Sequence, residues 1–344
     1  MKKEEFEMTM KRWIAIIVAA ALIFVSVGIN SLSYIFTRDF NGFFEDMVAT
    51  SSSGYEEAII EEGTGKDKIA VLSLNGVIQD LGDSSSLFQS AGYNHQYFMN
   101  QLSAILEDTN VKGVVLEVNS PGGGVVESAD IYDALRMIQV EREIPLYISM
   151  GGMAASGGYY VSAPADKIFV NPETITGSIG VIMESVNYAK LAEKYGIDFN
   201  TIKTGPYKDI MSGSREMKDD ERAMLQEMIN DSYERFVDII VEGRGMTEAE
   251  VKKVADGRVM NGRQAIEAGL ADDYGKAGDV IAAMKEDYKL QDATVFEYTT
   301  LDSWTSMLGV KAGNMFGSNI ESELIGKLLN DYNAPRMMYL YGEK

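Results

Sequence analysis

The chain of 344 residues contains no cysteine, one histidine and only six prolines. Without cysteine there is no thiol nucleophile, no disulfide and no thiolate metal site. The lone imidazole, His95, rules out a multi-histidine metal centre and makes any Ser-His-Asp arrangement depend on a single residue. His95 lies in SAGYNHQYF, a polar segment expected at the surface, where a lone histidine is ordinarily just solvated. Basic residues are outnumbered, 31 against 52 acidic ones, for a net charge of −21. A field of that sign repels phosphate, so nucleic acid is not an expected partner. Glycine is plentiful, with 33 positions, and 46% of the residues are hydrophobic. The balance is that of a folded globular protein with many tight turns, in one large domain or two modest ones.

Residues 13–29, WIAIIVAAALIFVSVGI, are apolar except for Ser26. A run of this length spans the hydrocarbon core of a bilayer, and it exceeds the apolar region of a cleaved signal peptide. Lys2, Lys3, Lys11 and Arg12 precede it, whereas Arg38 is the only basic residue between the span and Lys66. The amino end is therefore expected in the cytoplasm and the bulk of the chain outside. The expected organisation is a cytoplasmic segment 1–12, an anchor 13–36, a linker 37–67, a catalytic domain 68–296, and a terminal region 297–344 containing a helix over 322–329 and an apolar tail.

Past the linker, short β-branched runs at 69–74, 111–119, 146–150 and 168–170 read as strands. Helical spacing follows the second of them, with Ile131, Leu135 and Ile138 on one face. A longer amphipathic stretch runs from Asp219 to Glu242 and is expected to stop at Gly243. Thr247 with Glu250 forms a capping box for the next helix. Strands alternating with helices predict an α/β architecture with a largely parallel sheet.

Two glycine-rich turns carry the chemistry. NSPGGG at 119–124 falls between a strand and a helix, where free backbone N–H groups and the helix dipole can hold a negative oxygen. No phosphate-binding signature accompanies it. In MGGMAASGGYYVSA, Ser156 sits among small residues directly after a strand, where it reads equally as a helix N-cap or as a nucleophile on a sharp elbow. A nucleophilic serine needs a base, and with histidine nearly absent lysine is the remaining strong candidate. Lys190 and Lys194 belong on the wet face of a short helix, Lys167 begins a strand, and Lys203 is expected to end one. Lys208, in TGPYKDIM, stands between an aromatic and apolar residues that could desolvate it; spacing alone does not separate Lys203 from Lys208.

The set NSPGGG, MAASGGYYVSAPADKIFVNPETITGSIGV, GPYKDIMS and RVMNGRQAIEAGLADDYG resembles the signal peptide peptidase A (protease IV) family in its short, single-repeat bacterial form. The likeness covers about residues 68–282. It implies the Clp protease/crotonase-like spiral of strand-strand-helix repeats. The activity it implies is that of a membrane-anchored serine endopeptidase that degrades signal peptides left after preprotein processing, without a cofactor. Matched motif by motif, Ser156 is the nucleophile and Lys208 the general base. Gly123 and Gly157 supply the oxyanion-hole amides, and Ser178 can bond the lysine amine. A homo-oligomeric ring is also implied. Peptide substrates would bind as added strands. The apolar run 337–341 is expected to dock as an edge strand or an oligomer contact, with insertion into an active-site groove as the sharper alternative. Two other readings are an acyl-CoA enzyme of the crotonase type and a catalytically silent membrane scaffold.

Overall fold

A computed structural model describes residues 56–80, 93–299 and 337–342. The expected anchor, most of the linker and the helix over 322–329 lie outside the described residues. Among the described residues, no helix is long and apolar enough to cross a membrane.

In chain order the elements are β1 (Glu56–Glu61), β2 (Lys68–Asn75), α1 (His95–Glu107), β3 (Val111–Ser120), β4 (Gly122–Gly124), α2 (Val125–Arg142), β5 (Leu146–Ala155), α3 (Gly157–Ser162), β6 (Lys167–Val170) and β7 (Ile175–Gly177). There follow α4 (Ala189–Lys194), α5 (Asp219–Arg244), α6 (Glu248–Val254), β8 (Val259–Asn261), α7 (Gly262–Glu267), β9 (Asp273–Tyr274), α8 (Ala277–Tyr288), β10 (Thr294–Thr299) and β11 (Met338–Leu340).

The main sheet runs β1-β10-β2-β3-β5-β6-β9 and is parallel from β10 to β9. β7 joins the end of β5 in parallel and pairs antiparallel with β8. The apolar runs recognised in the sequence become the central strands because both faces of the sheet are covered. Along β2, Ala70, Leu72 and Leu74 enter the core shared with α1, α2 and α5, while Ile69 and Val71 enter a second core completed by Val280 and Met284 of α8. The result is a mixed α/β fold with a large, mostly parallel sheet. α8 lies so close to β3 that a Cβ at Gly113 would come 2.5 Å from the Met284 sulfur.

Strand pairing already occurs within the segment read as linker. Residues 56–61 form an edge strand antiparallel to β10, although their acidic, exposed composition reads as linker. An edge strand exposed on both faces has no apolar alternation to betray it. The long helix α5 runs through Gly243 and ends at Gly245, whose φ of +61° makes it the left-handed cap. Gly243 is glycine for a different reason. A Cβ there would lie 2.0 Å from the Ala163 carbonyl oxygen, at the end of α3. Substituting Gly243→Ala should therefore lower stability by about 1–3 kcal/mol through overpacking, read as a reduced urea midpoint with an unchanged m-value. An unchanged midpoint would mean that α5 moves aside freely.

Candidate active site

The parallel pairing of β3 with β5 sets Ser120 opposite Ala154, so the two glycine turns emerge side by side at the carboxyl ends of neighbouring strands. In the first turn Gly122 has φ +99°. Its N–H donates to Ser120 Oγ (3.0 Å). Ile78 brackets the turn through Ile78 N–H to Gly122 O and Gly124 N–H to Ile78 O, both 2.8 Å. A Cβ at Gly123 would sit 1.9 Å from the Ile78 carbonyl oxygen, and one at Gly122 would sit 2.5 Å from the Gly157 nitrogen. Only glycine permits this approach of backbone to backbone.

In the second turn Ser156 links β5 to α3 with φ +55° and ψ −116°, and it is buried. Such a conformation costs a non-glycine residue on the order of 1–3 kcal/mol and persists only where the surroundings impose it. Here Ser156 N–H donates to Gly177 O (2.8 Å), and Ser156 O accepts from Tyr160 N–H (2.9 Å). The side chain makes no capping hydrogen bond to α3, so the N-cap reading lacks its defining contact. Ser178, just past β7, is the neighbour of Ser156 across the Ala155–Gly177 pair. It too is buried with a positive φ, +50°, and its N–H donates to Arg258 O (2.7 Å). Ser156, Gly157, Gly123 and Ser178 are thus brought together.

The described part of the carboxyl-terminal tail lies across this place. β11 pairs antiparallel with β4, Tyr339 opposite Gly123. On its other side Met338 exchanges two hydrogen bonds with Ile182, of 2.9 and 3.0 Å. The Tyr339 ring is fully buried, stacked on Tyr160 with centroids 4.8 Å apart and in contact with Phe236 at 4.8 Å. Its hydroxyl donates to Ser232 O (2.9 Å). Burial pushes the Tyr339 and Tyr160 phenols above their ordinary range, which keeps both neutral, and the Tyr160 hydroxyl accepts from Arg235 Nε (3.0 Å).

The lysines separate cleanly. Lys167 and Lys190 hold Asp287 and Glu216. Lys203, on irregular backbone rather than at a strand end, donates to Asp209 (2.5 Å) and to Pro206 O (3.1 Å). Lys208 is exposed on a turn, and no hydrogen bond or ion pair joins it to Ser156 or Ser178. The turn itself is tied down by Arg215, which grips Asp209 through two nitrogens (2.9 and 2.7 Å) and the fully buried Glu221 through two bonds (2.8 and 2.6 Å). His95, expected in water, is buried instead; Tyr93 OH approaches its Nδ1 at 2.6 Å and Asp130 lies 3.7 Å from Nε2. The Tyr339 slot of Tyr160, Phe236 and Ser232 and the Ile78 bracket had no signal in the sequence, since each joins segments far apart in the chain; the Arg215 clamp reaches only six residues in either direction, but no motif marks it.

A serine held in a strained elbow, against backbone amides at the carboxyl ends of a parallel sheet, is an arrangement with which an acyl carbon can be attacked, and the class that this fold and site point to is the serine peptidases. Comparison narrows the class. The chain belongs to peptidase family S49, whose pattern matches residues 138–291; that of Clp protease matches residues 86–176. It is 41% identical to a protein from Enterococcus faecium named as the signal peptide peptidase SppA, across 97% of this chain and 99% of the other. It is 37% identical to a protease from Methanocaldococcus jannaschii over 68% of this chain and 75% of that one. It is 30% identical to Protease 4 of Salmonella typhi, of which it spans 46%.

The Arg215 clamp should be acid-sensitive. Arg215 hydrogen bonds, then the Lys218 amide, hold Glu221 down to about 2 from the ordinary 4.5, and Arg215 followed by Lys203 depresses Asp209. Their contribution is complete above the ordinary carboxylate range and is lost as pH falls from about 4.5 toward 2. Glu221→Gln should therefore flatten the acid limb of a melting-temperature profile between those values, whereas an acid limb identical to wild type would assign the sensitivity elsewhere.

Proposed function

We propose that the protein is a membrane-anchored serine endopeptidase that degrades signal peptides remaining after preprotein processing, with residues 13–36 as the anchor and the catalytic domain outside the cytoplasm. The observation that carries the reading is Ser156: buried, strained at φ +55°, relieved of any capping duty and set against the Gly122–Gly124 turn. Its Oγ attacks the scissile carbonyl carbon while Lys208 takes the hydroxyl proton. The Gly123 and Gly157 amides bind the oxyanion. The tetrahedral intermediate collapses as the lysine ammonium returns a proton to the leaving amine, and water then hydrolyses the acyl-serine ester by the same route. Ser178, beside Ser156 at the end of β7, is the hydroxyl assigned to bond the lysine amine.

Lys208 is favoured over Lys203 because an amine already donating to a carboxylate and a carbonyl has no lone pair to offer, whereas the Lys208 amine has no such partner among the described residues. A lysine base must also be desolvated. In the single chain Lys208 is exposed, at the end of an arm that also exposes Val186, Leu191, Tyr195, Ile197, Phe199 and Ile202. So much uncovered apolar surface supports a homo-oligomeric ring, and contact between copies through this arm would supply the dry surroundings that the base requires. The signal-peptide assignment draws on the name of the Enterococcus relative and on the seat occupied by β11, which accepts an extended apolar strand between β4 and Ile182.

Ser156→Ala and Lys208→Ala should each abolish hydrolysis of a quenched fluorescent peptide and leave the fold intact, with labelling by a fluorophosphonate lost in Ser156→Ala. Near wild-type turnover by Lys208→Ala would sink the dyad, and an unlabelled wild type would favour a silent scaffold. Ile202→Asp should shift the assembly to smaller species in analytical ultracentrifugation and lower activity with it; full activity from a monomer would remove the role given to assembly. The tail resembles a substrate in place, so intact mass should reveal carboxyl-terminal trimming in the wild type that disappears in Lys208→Ala. Equal full-length masses would leave β11 as a docked strand only.

A further inference from the structure

Ser128 lies on the first turn of α2, four residues past Gly124. It is fully buried, and among the described residues its Oγ has no hydrogen-bond partner. Leaving a hydroxyl desolvated and unbonded is costly, whereas alanine at the same place would avoid the cost altogether. The position of the hydroxyl gives it a use. A Cβ built on Gly157 would meet Ser128 Oγ at 2.7 Å, the Gly123 nitrogen at 3.0 Å and the Gly122 α-carbon at 3.1 Å. The hydroxyl and the Gly123 amide nitrogen therefore both lie close beside the Gly157 α-carbon.

We propose that Ser128 is a positioning residue of the oxyanion turn, whose hydroxyl dipole reorients toward the Gly123–Gly157 amide pair as negative charge develops on the substrate oxygen. This rests on the reading of Ser156 as nucleophile and of those two amides as its oxyanion donors. A hydroxyl without a fixed partner can turn at no loss of existing bonds, and at a buried place its dipole is little screened. The interaction grows with the charge on the oxygen. It therefore acts on the transition state and not on substrate binding. The competing reading is that Ser128 only fills the space that keeps residue 157 a glycine.

Full-length Ser128→Ala and Ser128→Cys variants separate the two. Each is assayed with a quenched peptide for kcat and KM, with a peptide boronate that mimics the tetrahedral adduct for inhibition, and by thermal melting. The expected result for Ser128→Ala is a melting temperature at or above that of wild type, an unchanged KM and a kcat reduced about tenfold. That loss is smaller than the 10²–10³ of a direct oxyanion donor. Boronate affinity should fall by the same factor. Ser128→Cys, which fills the space with a much weaker donor, should share the loss. Wild-type kcat and boronate affinity in Ser128→Ala would overturn the proposal. So would a Ser128→Cys variant with full activity, even if Ser128→Ala failed to fold, because space-filling alone would then suffice. Fluorophosphonate labelling of the wild type at Ser156 is measured alongside. Labelling with normal Ser128 variants places the failure in this inference; no labelling removes the nucleophile reading and the inference with it.

Discussion

The structure around the site depends on one steric constraint, the contact of two backbone turns with no side chain between them. A Cβ at Gly122 would strike the Gly157 nitrogen, and one at Gly157 would strike Ser128 and the Gly123 nitrogen. Parallel pairing of β3 with β5 brings the turns to the same level, and a register shift between Val118 and Ser120 lets the first bend toward the second. Ile78 then fixes one edge of β4 by two backbone bonds. The strain at Ser156 and Ser178 follows. Each is the first residue beyond a strand end that the β5–β7 pairing holds in place, so each backbone must turn within one residue.

The same arrangement explains why a peptide strand can be received here. β4 is three residues long, and the edge turned away from Ile78 would be an unpaired row of amides and carbonyls beside Ser156. β11 satisfies that edge and also bonds to Ile182, so an extended segment is gripped on both sides by main chain alone. Main-chain pairing is indifferent to sequence. Selectivity must come from the slots that alternate side chains enter, and the Tyr339 position shows the character of one of them, an aromatic box with a single carbonyl acceptor at its end.

How much of this was legible in the sequence follows from the range of each interaction. The buried parallel strands announced themselves as β-branched runs, because a strand covered on both faces has no polar residues to hide among. Ser156 and the glycine turns were legible because strand-to-helix turns draw on a short list of small residues. The Thr247–Glu250 capping box, a three-residue pattern, is present as read, with Thr247 Oγ1 accepting from Glu250 N–H. Long-range features were not legible. β1 pairs with a strand more than two hundred residues away and looks like linker, and β7, β8 and β9 are too short to show a period. His95 was misjudged because its neighbours are polar, whereas its cover comes from Tyr93 and from α2. Gly243 looked like a helix stop and proved to be a contact point.

The sorting of Lys203 from Lys208 shows what three dimensions add to composition. Lys208 precedes Asp209, and Asp219, Asp220 and Glu221 follow close by, a concentration of negative charge that would ordinarily bind any free ammonium. The fold assigns three of those four carboxylates elsewhere. Asp209 is held by Arg215 and Lys203, Glu221 by Arg215, and Asp220 by the Tyr207 hydroxyl. One arginine, bonded to two carboxylates at once, both anchors the turn to α5 and removes the nearest competitors for the Lys208 amine. Under the proposed dyad, the acidic surroundings and a lysine acting as a base are thereby compatible. What the turn lacks is cover, and if the exposed apolar surface beside it supplies that cover on assembly, as proposed, the chemistry of the amine and the association of copies become one problem. In the reading proposed for this chain, an isolated subunit is a poor peptidase because its base stands in water, and assembly is what makes it competent.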